Sequence, residues 1–567
     1  MLRRLLLGFT ALLFTVSAFA QSGTLKGKVT DASTGEPVPF ANVSVEENGN
    51  VVTGGMTDFD GQFTIKPIPA GKYDVKASYV GYAPLQYNSV QIPAGKITFQ
   101  DFKLSASAEV LAEVEIKEYK VPLIAKDQTE SGGTVTSEEI SKMPGRSADA
   151  VATTVGGVYS ENGEVGSIRG ARSEATVYYV DGVKVRGTSS VPKSAIEQIS
   201  VVTGGVAAKY GDATGGIISV TTKGPTSKYF GGAELVTSQF LDPYGYNLGG
   251  LMLSGPIWTK EDPGTGRERT IAGFLLSGEG SYVQDASPSA IGVWTGKDDI
   301  VDSIRNNPLR AIPNQTNQVI QQNADYLGEN AFHSVDARPN AERLSMNVAG
   351  KIDIQPIKNL NFTLGGTFDH INQRIYSYSN SLFNSENNGQ QVYTNWRAYA
   401  RITQKFQNQN AEEEQANESL IKNAYYSIQA DFSQTNSVSQ DKRHQDNFFD
   451  YGYVGKFNTD PYRFYEWGED SITNLSGWIH ETFVYPIEDF EAGEKNPDLA
   501  TYTTQFFDYA GQNMFINEDA IILNKGLMNG SGPGNIYGLY SNPGVPYSSY
   551  SKTNNNQFRV AANGVAD

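Results

Sequence analysis

The chain has 567 residues, a formal net charge of −17 and a sequence pI of about 4.9. An acidic chain lacks the basic face that nucleic acid demands, which excludes nucleic acid as a partner. It has no cysteine, which excludes disulfides and leaves stability to backbone pairing and packing.

Arg3 and Arg4 form a positive leader, Leu5 to Val16 an apolar run, and Ala18-Phe19-Ala20 an A-x-A cleavage site. Residues 1–20 therefore read as a signal peptide, with Gln21 starting the mature chain; a retained anchor is the alternative. A lipoprotein leader would need a cysteine. No later run approaches the ~20 apolar residues of a transmembrane helix. Yet glycine, tyrosine and phenylalanine are abundant, at 58, 31 and 27 residues. An exported, aromatic-rich chain without apolar helices keeps one way to span a membrane, the β-barrel, whose strands are only half apolar.

Residues 21–105 predict a small β-sandwich. "LKGKVTD", "ANVSVEE", "GQFTIKPI", "GKYDVKASYVGY" and "KITFQDFKL" alternate with period two between turns rich in Gly, Pro and Asp. "GKVTDASTGEPVPFANVSV", "TDFDGQFTI" and "GKYDVKASYVGY" resemble the carboxypeptidase regulatory-like domain, an accessory sandwich without protease chemistry. Asp58 and Asp60 before Gly61 lack the further oxygen ligands of a calcium loop and predict a hairpin turn.

Residues 106–120 are a linker. Within it Val110, Leu111, Ala112, Glu113, Val114, Glu115 and Ile116 alternate apolar and other residues without a hairpin partner. Such a segment can add itself to another protein's sheet edge, or close the preceding sandwich.

Residues 121–226 predict a mixed α+β domain. Thr136 and Glu139 form a capping box that opens a short helix stopped by Pro144. Ser147 starts another, which ends at Gly156-Gly157. "GSIRG" reads as a strand and "ATVYYVDGVKVRG" as a hairpin turning at Asp181-Gly182. Ile196 and Ile199 predict a helix from about Val191, and "SVVTGG" and "GGIISVTTKGP" two more strands. The Gly- and Arg-rich stretch is no phosphate cradle: no glycine precedes Lys-Ser or Lys-Thr, and no G-x-G-x-x-G follows a strand.

"SIRGARSEATVYYVDGVKVRG" and "AIEQISVVTGGVAAKYGDATGGIISVTTKGP" strongly resemble the plug domain of TonB-dependent outer-membrane transporters, in the Bacteroidota type that also carries the regulatory-like sandwich. The shared residues are Arg169 and Gly170 of I-R-G, Asp181 and Gly182 of V-D-G, Gly204 and Gly205, and Tyr210, Gly211, Gly215 and Gly216 of the Y-G-x-A-x-G-G turn. The resemblance implies that Arg169 pairs with barrel carboxylates. A second family arginine is replaced here by Thr203. It further implies TonB as the energising partner, with the box that TonB pairs placed at Val110 to Ile116.

Residues 227–567 predict a partial transmembrane barrel. Leu344, Met346, Val348, Ile352 and Ile354 alternate with Ser345, Asn347, Ala349, Lys351 and Asp353; similar ladders run through 360–369, 396–403 and 426–433. Such strands reach the ~9–11 residues that cross a bilayer at a tilt. Short turns alternate with long polar loops near 284–342 and 437–555, as in outer-membrane barrels. About eight to ten strands fall short of the ~22 of plugged transporters, so the expectation is the N-terminal part of a longer protein.

The fold class is thus mostly β: signal peptide, sandwich, α+β plug and part of a membrane barrel in the outer membrane, with the N-terminal domain in the periplasm. The expected function is TonB-driven import of an unknown ligand. The alternative is a non-transporting binding or secretion-associated protein on the same scaffold. Arg172, Lys184 and Arg186, on exposed plug turns, are ligand-contact candidates. Tyr376, Tyr378 and Tyr393 suit an interfacial girdle or ring stacking. A metallo-hydrolase is disfavoured, because His333, His370, His444 and His480 form neither H-E-x-x-H nor H-x-x-E. No cofactor or metal is expected. A surface lipoprotein partner is compatible with the scaffold but not implied, since the start of the plug shows no convincing match to SusC-type glycan importers.

Overall fold

The computed structural model describes residues 22–47, 50–93, 96–105, 115–118, 131–161, 164–185, 191–206, 215–226, 228–261, 268–313, 318–357, 359–407, 423–459, 462–484, 487–511 and 547–566. The leader at 1–20, most of the linker and the Tyr210-Gly211 turn lie outside them.

The first unit is a sandwich of two sheets. Its strands are β1 (Ser22–Asp31), β2 (Asn42–Glu47), β3 (Asn50–Met56), β4 (Gln62–Pro69), β5 (Gly71–Ser78), β6 (Leu85–Ile92), β7 (Ile97–Phe99), β8 (Phe102–Leu104) and β9 (Glu115–Glu118). One sheet pairs β4, β1 and β7, with β8 further along β1; the other runs β3-β2-β5-β6-β9. Period-two alternation turns Leu25, Val29, Val43, Val45, Val75 and Phe102 into the gap, all fully buried. "KITFQDFKL" is not one strand. It breaks at Gln100-Asp101, where the Lys28 amide donates to Asp101 Oδ1 at 2.9 Å. The Asp58 site is a turn: its carboxylate accepts the amides of Asp60 and Gln62, and Gly61 takes φ +72°.

The second unit is a five-stranded sheet in the order β10-β15-β16-β13-β14, from β10 (Ser131–Thr136), β13 (Val177–Val180), β14 (Val183–Val185), β15 (Ile196–Gly204) and β16 (Ile217–Thr222). A separate hairpin pairs β11 (Val158–Glu161) with β12 (Glu164–Ile168). The Thr136 capping box and the Ser147 N-cap form as the sequence predicts. The helix expected from Val191 does not. A single 3-10 turn, Lys193–Ala195, leads directly into β15. Ile196 and Ile199 are both buried because β15 lies between β10 and β16 and is covered on both faces. Burial on two faces erases the alternation by which a strand is told from a helix.

The third unit is an eight-stranded antiparallel wall in the order β17-β18-β19-β24-β25-β26-β27-β32. These are Phe230–Thr237, Asn247–Glu261, Glu268–Val283, Arg343–Ile357, Leu360–Ile375, Gly389–Gln407, Asn423–Gln440 and Ser551–Ala566 in turn. Register aligns Ile354, Phe362, Ile402 and Ile428 in one outward row, and Ile352, Leu364, Ala400, Ala430 and Val560 in the next. Leu364, Ile402, Ile428 and Val560 are exposed, as a lipid-facing band requires. Trp396 and Tyr426 flank this band at its two ends. Tyr393 instead shares the inward parity, and Tyr376 and Tyr378 sit in the loop above β25, so these three do not build the girdle.

The long loops at one end of the wall are built structures. The first carries β20 (Val293–Gly296), helix Asp298–Asn306, β21 (Leu309–Pro313), β22 (Gln318–Gln322) and β23 (Phe332–Val335). The second carries β28 (Gly455–Thr459), β29 (Tyr462–Glu469), β30 (Ser476–Val484), β31 (Ile487–Ala492) and helix Pro497–Gly511. Leu309 of the first packs with Val454, Leu499 and Tyr502 of the second in a shared core.

Replacing Phe102 by Ala should cost about 3–5 kcal/mol. The expected outcome is faster proteolysis and amide exchange confined to residues 22–105, with the wall unchanged; uniform loosening of the wall would contradict this division into units.

Candidate functional site

The site is the contact between the plug sheet and the inner face of the wall. A wall strand places every second residue inward, so Ser254, Ser277, Lys351, Tyr399 and Arg401 have no lipid to face and need polar partners. The plug supplies them at three places.

The first is the β13–β14 hairpin. Asp181 and Gly182 adopt φ +47° and +75°, the mirror-image turn that a two-residue hairpin needs. The turn presents the buried Asp181 carboxylate to the wall. Oδ1 accepts the Thr222 amide at 2.9 Å, and Oδ2 accepts the Thr222 hydroxyl at 2.7 Å and the Tyr399 hydroxyl at 2.8 Å. Arg401 donates to the Asp181 carbonyl. Lys351 Nζ reaches Thr222 Oγ1 at 3.1 Å. Burial alone would raise the Asp181 pKa; Lys351, the two Thr222 bonds and Arg401 outweigh it and hold the carboxyl below its ordinary 3.8.

The second is Arg146, between the two short helices. Its Nε and Nη2 donate to Glu279 at 2.9 and 2.8 Å, and its Nη1 and Nη2 to Glu234 at 2.9 and 2.6 Å. Both carboxylates come from the wall, on β19 and β17. The planar guanidinium clamps two strands at once, which a lysine could not do. Beside it, Lys193 donates to the Met143 carbonyl at 2.5 Å. Burial and then the neighbouring Arg146 charge lower its pKa.

The third is a set of neutral contacts. Ser194 and Ser277 share a hydroxyl bond of 2.7 Å, and the Thr226 amide donates to Ser254 Oγ at 3.0 Å. The wall residues Met252, Leu275 and Ala349 complete the plug's apolar core.

Arg169 meets no wall carboxylate among the described residues. It has φ +49°, is exposed, and among the described residues donates to Ser131 Oγ at 2.8 Å. It lies across Gly204, where a Cβ would stand 2.6 Å from its Nη1. Among the described residues, the plug arginine that meets wall carboxylates is Arg146. Its sequence signal was thin: a cation in a Pro-Gly-Arg-Ser stretch between helices. Thr203 is buried and donates to the Ser131 carbonyl at 3.2 Å. Gly215 and Gly216 allow close packing, since a Cβ there would meet Ala175 O at 2.6 Å and Ile168 Cδ1 at 2.2 Å. Gly170 and Gly205 take φ +80° and +64°.

Arg172 is exposed at the start of a 3-10 turn, and Lys184 is half-buried opposite Tyr179. Arg186 lies outside the described residues. Glu115 and Ile116 fall in β9, whose register runs parallel to β6 from Leu85↔Glu115 to Asn88↔Glu118. Val110, Leu111, Ala112, Glu113 and Val114 lie outside the described residues. His370 bonds Thr394 at 3.0 Å and His444 bonds Asn496 at 2.9 Å, and among the described residues no metal-holding cluster forms.

With this geometry, the profile of the carboxypeptidase regulatory-like domain matches residues 24–105, and that of the TonB-dependent receptor plug domain matches residues 125–217. Two of the chain's units thus match domains found together in TonB-dependent receptors, and its similarity is to proteins of that kind. It is 25% identical to the TonB-dependent transporter Oar of Myxococcus xanthus over 61% of this chain and 36% of that protein. It is 30% identical to the TonB-dependent receptor SusC of Bacteroides thetaiotaomicron over 39% of this chain and 23% of that one. The kinship to SusC escaped the motif reading at the start of the plug. Thus the chain spans about a third or less of the length of these relatives. Among solved structures, the ferric enterobactin receptor PfeA of Pseudomonas aeruginosa aligns at TM-score 0.29 and 14% identity, over 54% of this chain and 48% of that one.

The Asp181 anchor gives a pH dependence with a definite sign. A depressed carboxyl pKa contributes stability that is present above the unfolded value and lost as pH falls through the folded one. Protease resistance of the plug should therefore decline below pH ~4 in the native chain. Asp181→Asn should flatten that decline while lowering resistance at neutral pH. An unchanged acid profile would remove Asp181 from this role.

Removing the clamp should weaken the plug's seat at neutral pH. Arg146→Met leaves two carboxylates facing each other and should cost about 1–3 kcal/mol. The measurement is the urea concentration at which the plug becomes cleavable, which should fall.

Proposed function

We propose that this receptor imports a ligand across the outer membrane with energy delivered by TonB, and that it performs no catalysis of its own. The observation that carries the reading is the character of the plug–wall contact. It consists of hydrogen bonds and ion pairs around a few apolar contacts, at Met252, Leu275 and Ala349. Such a contact can be remade by water as the plug shifts, whereas an apolar core would resist displacement.

The outer membrane offers neither ATP nor an ion gradient, so work must arrive mechanically from the inner membrane. The linker at 106–120, between sandwich and plug, is the proposed handle, with Val110 to Ile116 as the segment TonB captures. The β9 pairing supports this reading. It spans four residues in a parallel ladder at the edge of the sandwich sheet, and parallel pairing is slightly the weaker kind. A strand held so lightly can be exchanged for pairing with another sheet edge. Ligand contacts fall to the loop-facing side of the plug and to the built loops above it. Arg172, Lys184 and Arg186 remain candidates there, and a surface lipoprotein is a further partner compatible with the open loop end.

The chain has no cysteine, so single cysteines introduced at 110 to 116 are unique reporters. Disulfide capture by cysteine-bearing TonB should peak at alternate positions within this window, and deletion of 110–116 should abolish it while leaving the plug seated. Absence of capture at every position would remove the segment from this role.

A further inference from the structure

The second long loop raises the hairpin β29–β30 into solvent. Register sets Trp467 opposite Trp478, Tyr465 opposite His480 and Glu469 opposite Ser476. Strand alternation puts these three rungs on one face of the ladder. Among the described residues nothing covers this face: Trp467 is 63% exposed, Trp478 69% and Tyr465 49%. The two indoles stand edge to face, at 5.8 Å and 85°. That arrangement steadies the pair and leaves ring faces turned to water. A hairpin this short is marginal in isolation, so its aromatics would ordinarily be spent on a core. Here they are spent on the surface.

The charge beside the two indoles is acidic, and the one cation of β29, Arg463, stands at the far end of the strand beyond Tyr465. Glu469 ends the aromatic row, Glu466 lies on the reverse of the same strand, and Asp470 begins the turn. The Asp470 carboxylate accepts the amides of Thr473 and Ile472, at 2.7 and 3.0 Å, and the Thr473 hydroxyl, which together hold its pKa low. The ring faces are themselves electron-rich. A lipid headgroup or other phosphate would be repelled, and a neutral chain would gain nothing from the carboxylates. A cation gains from both: it can stack on tryptophan, the best ring for this, while Glu469 pairs with its charge.

We propose that the Tyr465–Trp467–Trp478 face with Glu469 is a docking site for a cationic peptide segment, which places lysine or arginine side chains on the indoles. This goes beyond import and does not depend on it, because it requires only the hairpin's own geometry and charge.

The test uses the full chain in detergent micelles, titrated with acetylated hexalysine amide and followed by isothermal titration calorimetry, which needs no tryptophan as reporter. Saturable binding should weaken about tenfold in the Trp467→Ala/Trp478→Ala variant and about threefold in Glu469→Gln. Glu469→Gln keeps the ring ladder intact, and Trp467→Phe/Trp478→Phe keeps aromatic faces, so loss of the hairpin alone does not mimic the result. The overall charge of −17 attracts any polycation, and for that reason the variants rather than the native titration decide. Equal hexalysine affinity in the native chain, in Trp467→Ala/Trp478→Ala and in Glu469→Gln would overturn the proposal. So would preferential binding of maltohexaose, hexaglutamate or phosphatidylglycerol vesicles at the same face.

Discussion

Everything in this chain follows from one constraint: a strand that crosses a membrane has an inner face, and that face must be satisfied without lipid. Half the side chains of the wall strands point inward, among them Glu234, Glu279, Lys351 and Arg401. An unpaired buried charge is costly, and breaking a buried pair costs more than the pair returns. The plug answers this with Arg146 for the carboxylates and with Asp181 and Thr222 for the tyrosine, lysine and arginine. Its short helices, tight hairpin and crowded glycines serve to bring those few groups to the wall.

The same arrangement reconciles firmness with mobility. Each contact is directional and depends on exact partners, so the plug has one resting position. None depends on a large dry interface, so water can replace the contacts one at a time. The sandwich repeats the theme at the other end of the linker. Its two sheets close around a core led by Leu25, Val29 and Phe102, yet the last strand to join, β9, adds only four pairs at an edge. The Lys72–Glu138 ion pair at 3.1 Å and the Lys96–Thr134 bond at 2.8 Å join sandwich to plug, and both are exchangeable with water.

On the opposite side, the loops do not behave as slack connections. Arg305 bridges Glu386 at 2.8 Å and Asp498 at 3.4 Å, tying the first loop to the short third loop and to the terminal helix of the second. Asp285, fully buried at its side chain, is gripped by Arg338 at 2.6 Å. A loop cap with its own core can hold a hairpin such as β29–β30 away from the wall, with its aromatics on display.

Much of this was legible in the residues. The capping box at Thr136 and Glu139, the Asp181-Gly182 turn and the outward rows of β24 to β27 are local signals, set by propensity and period, and they hold in the structure. The domain order also followed from motifs, because glycines at sharp turns keep their spacing. What was not legible is long-range. Ile196 and Ile199 suggested a helix because their strand is covered on both faces, which only its neighbours reveal. Arg146 gave no sign that Glu234 and Glu279, 88 and 133 residues away, would meet it. Arg169 carried the motif but lies across Gly204 instead. Alternation along a chain determines which face a side chain takes; only tertiary packing decides which charge stands opposite it, because Coulomb and hydrogen-bond energies depend on distance in space and not along the sequence.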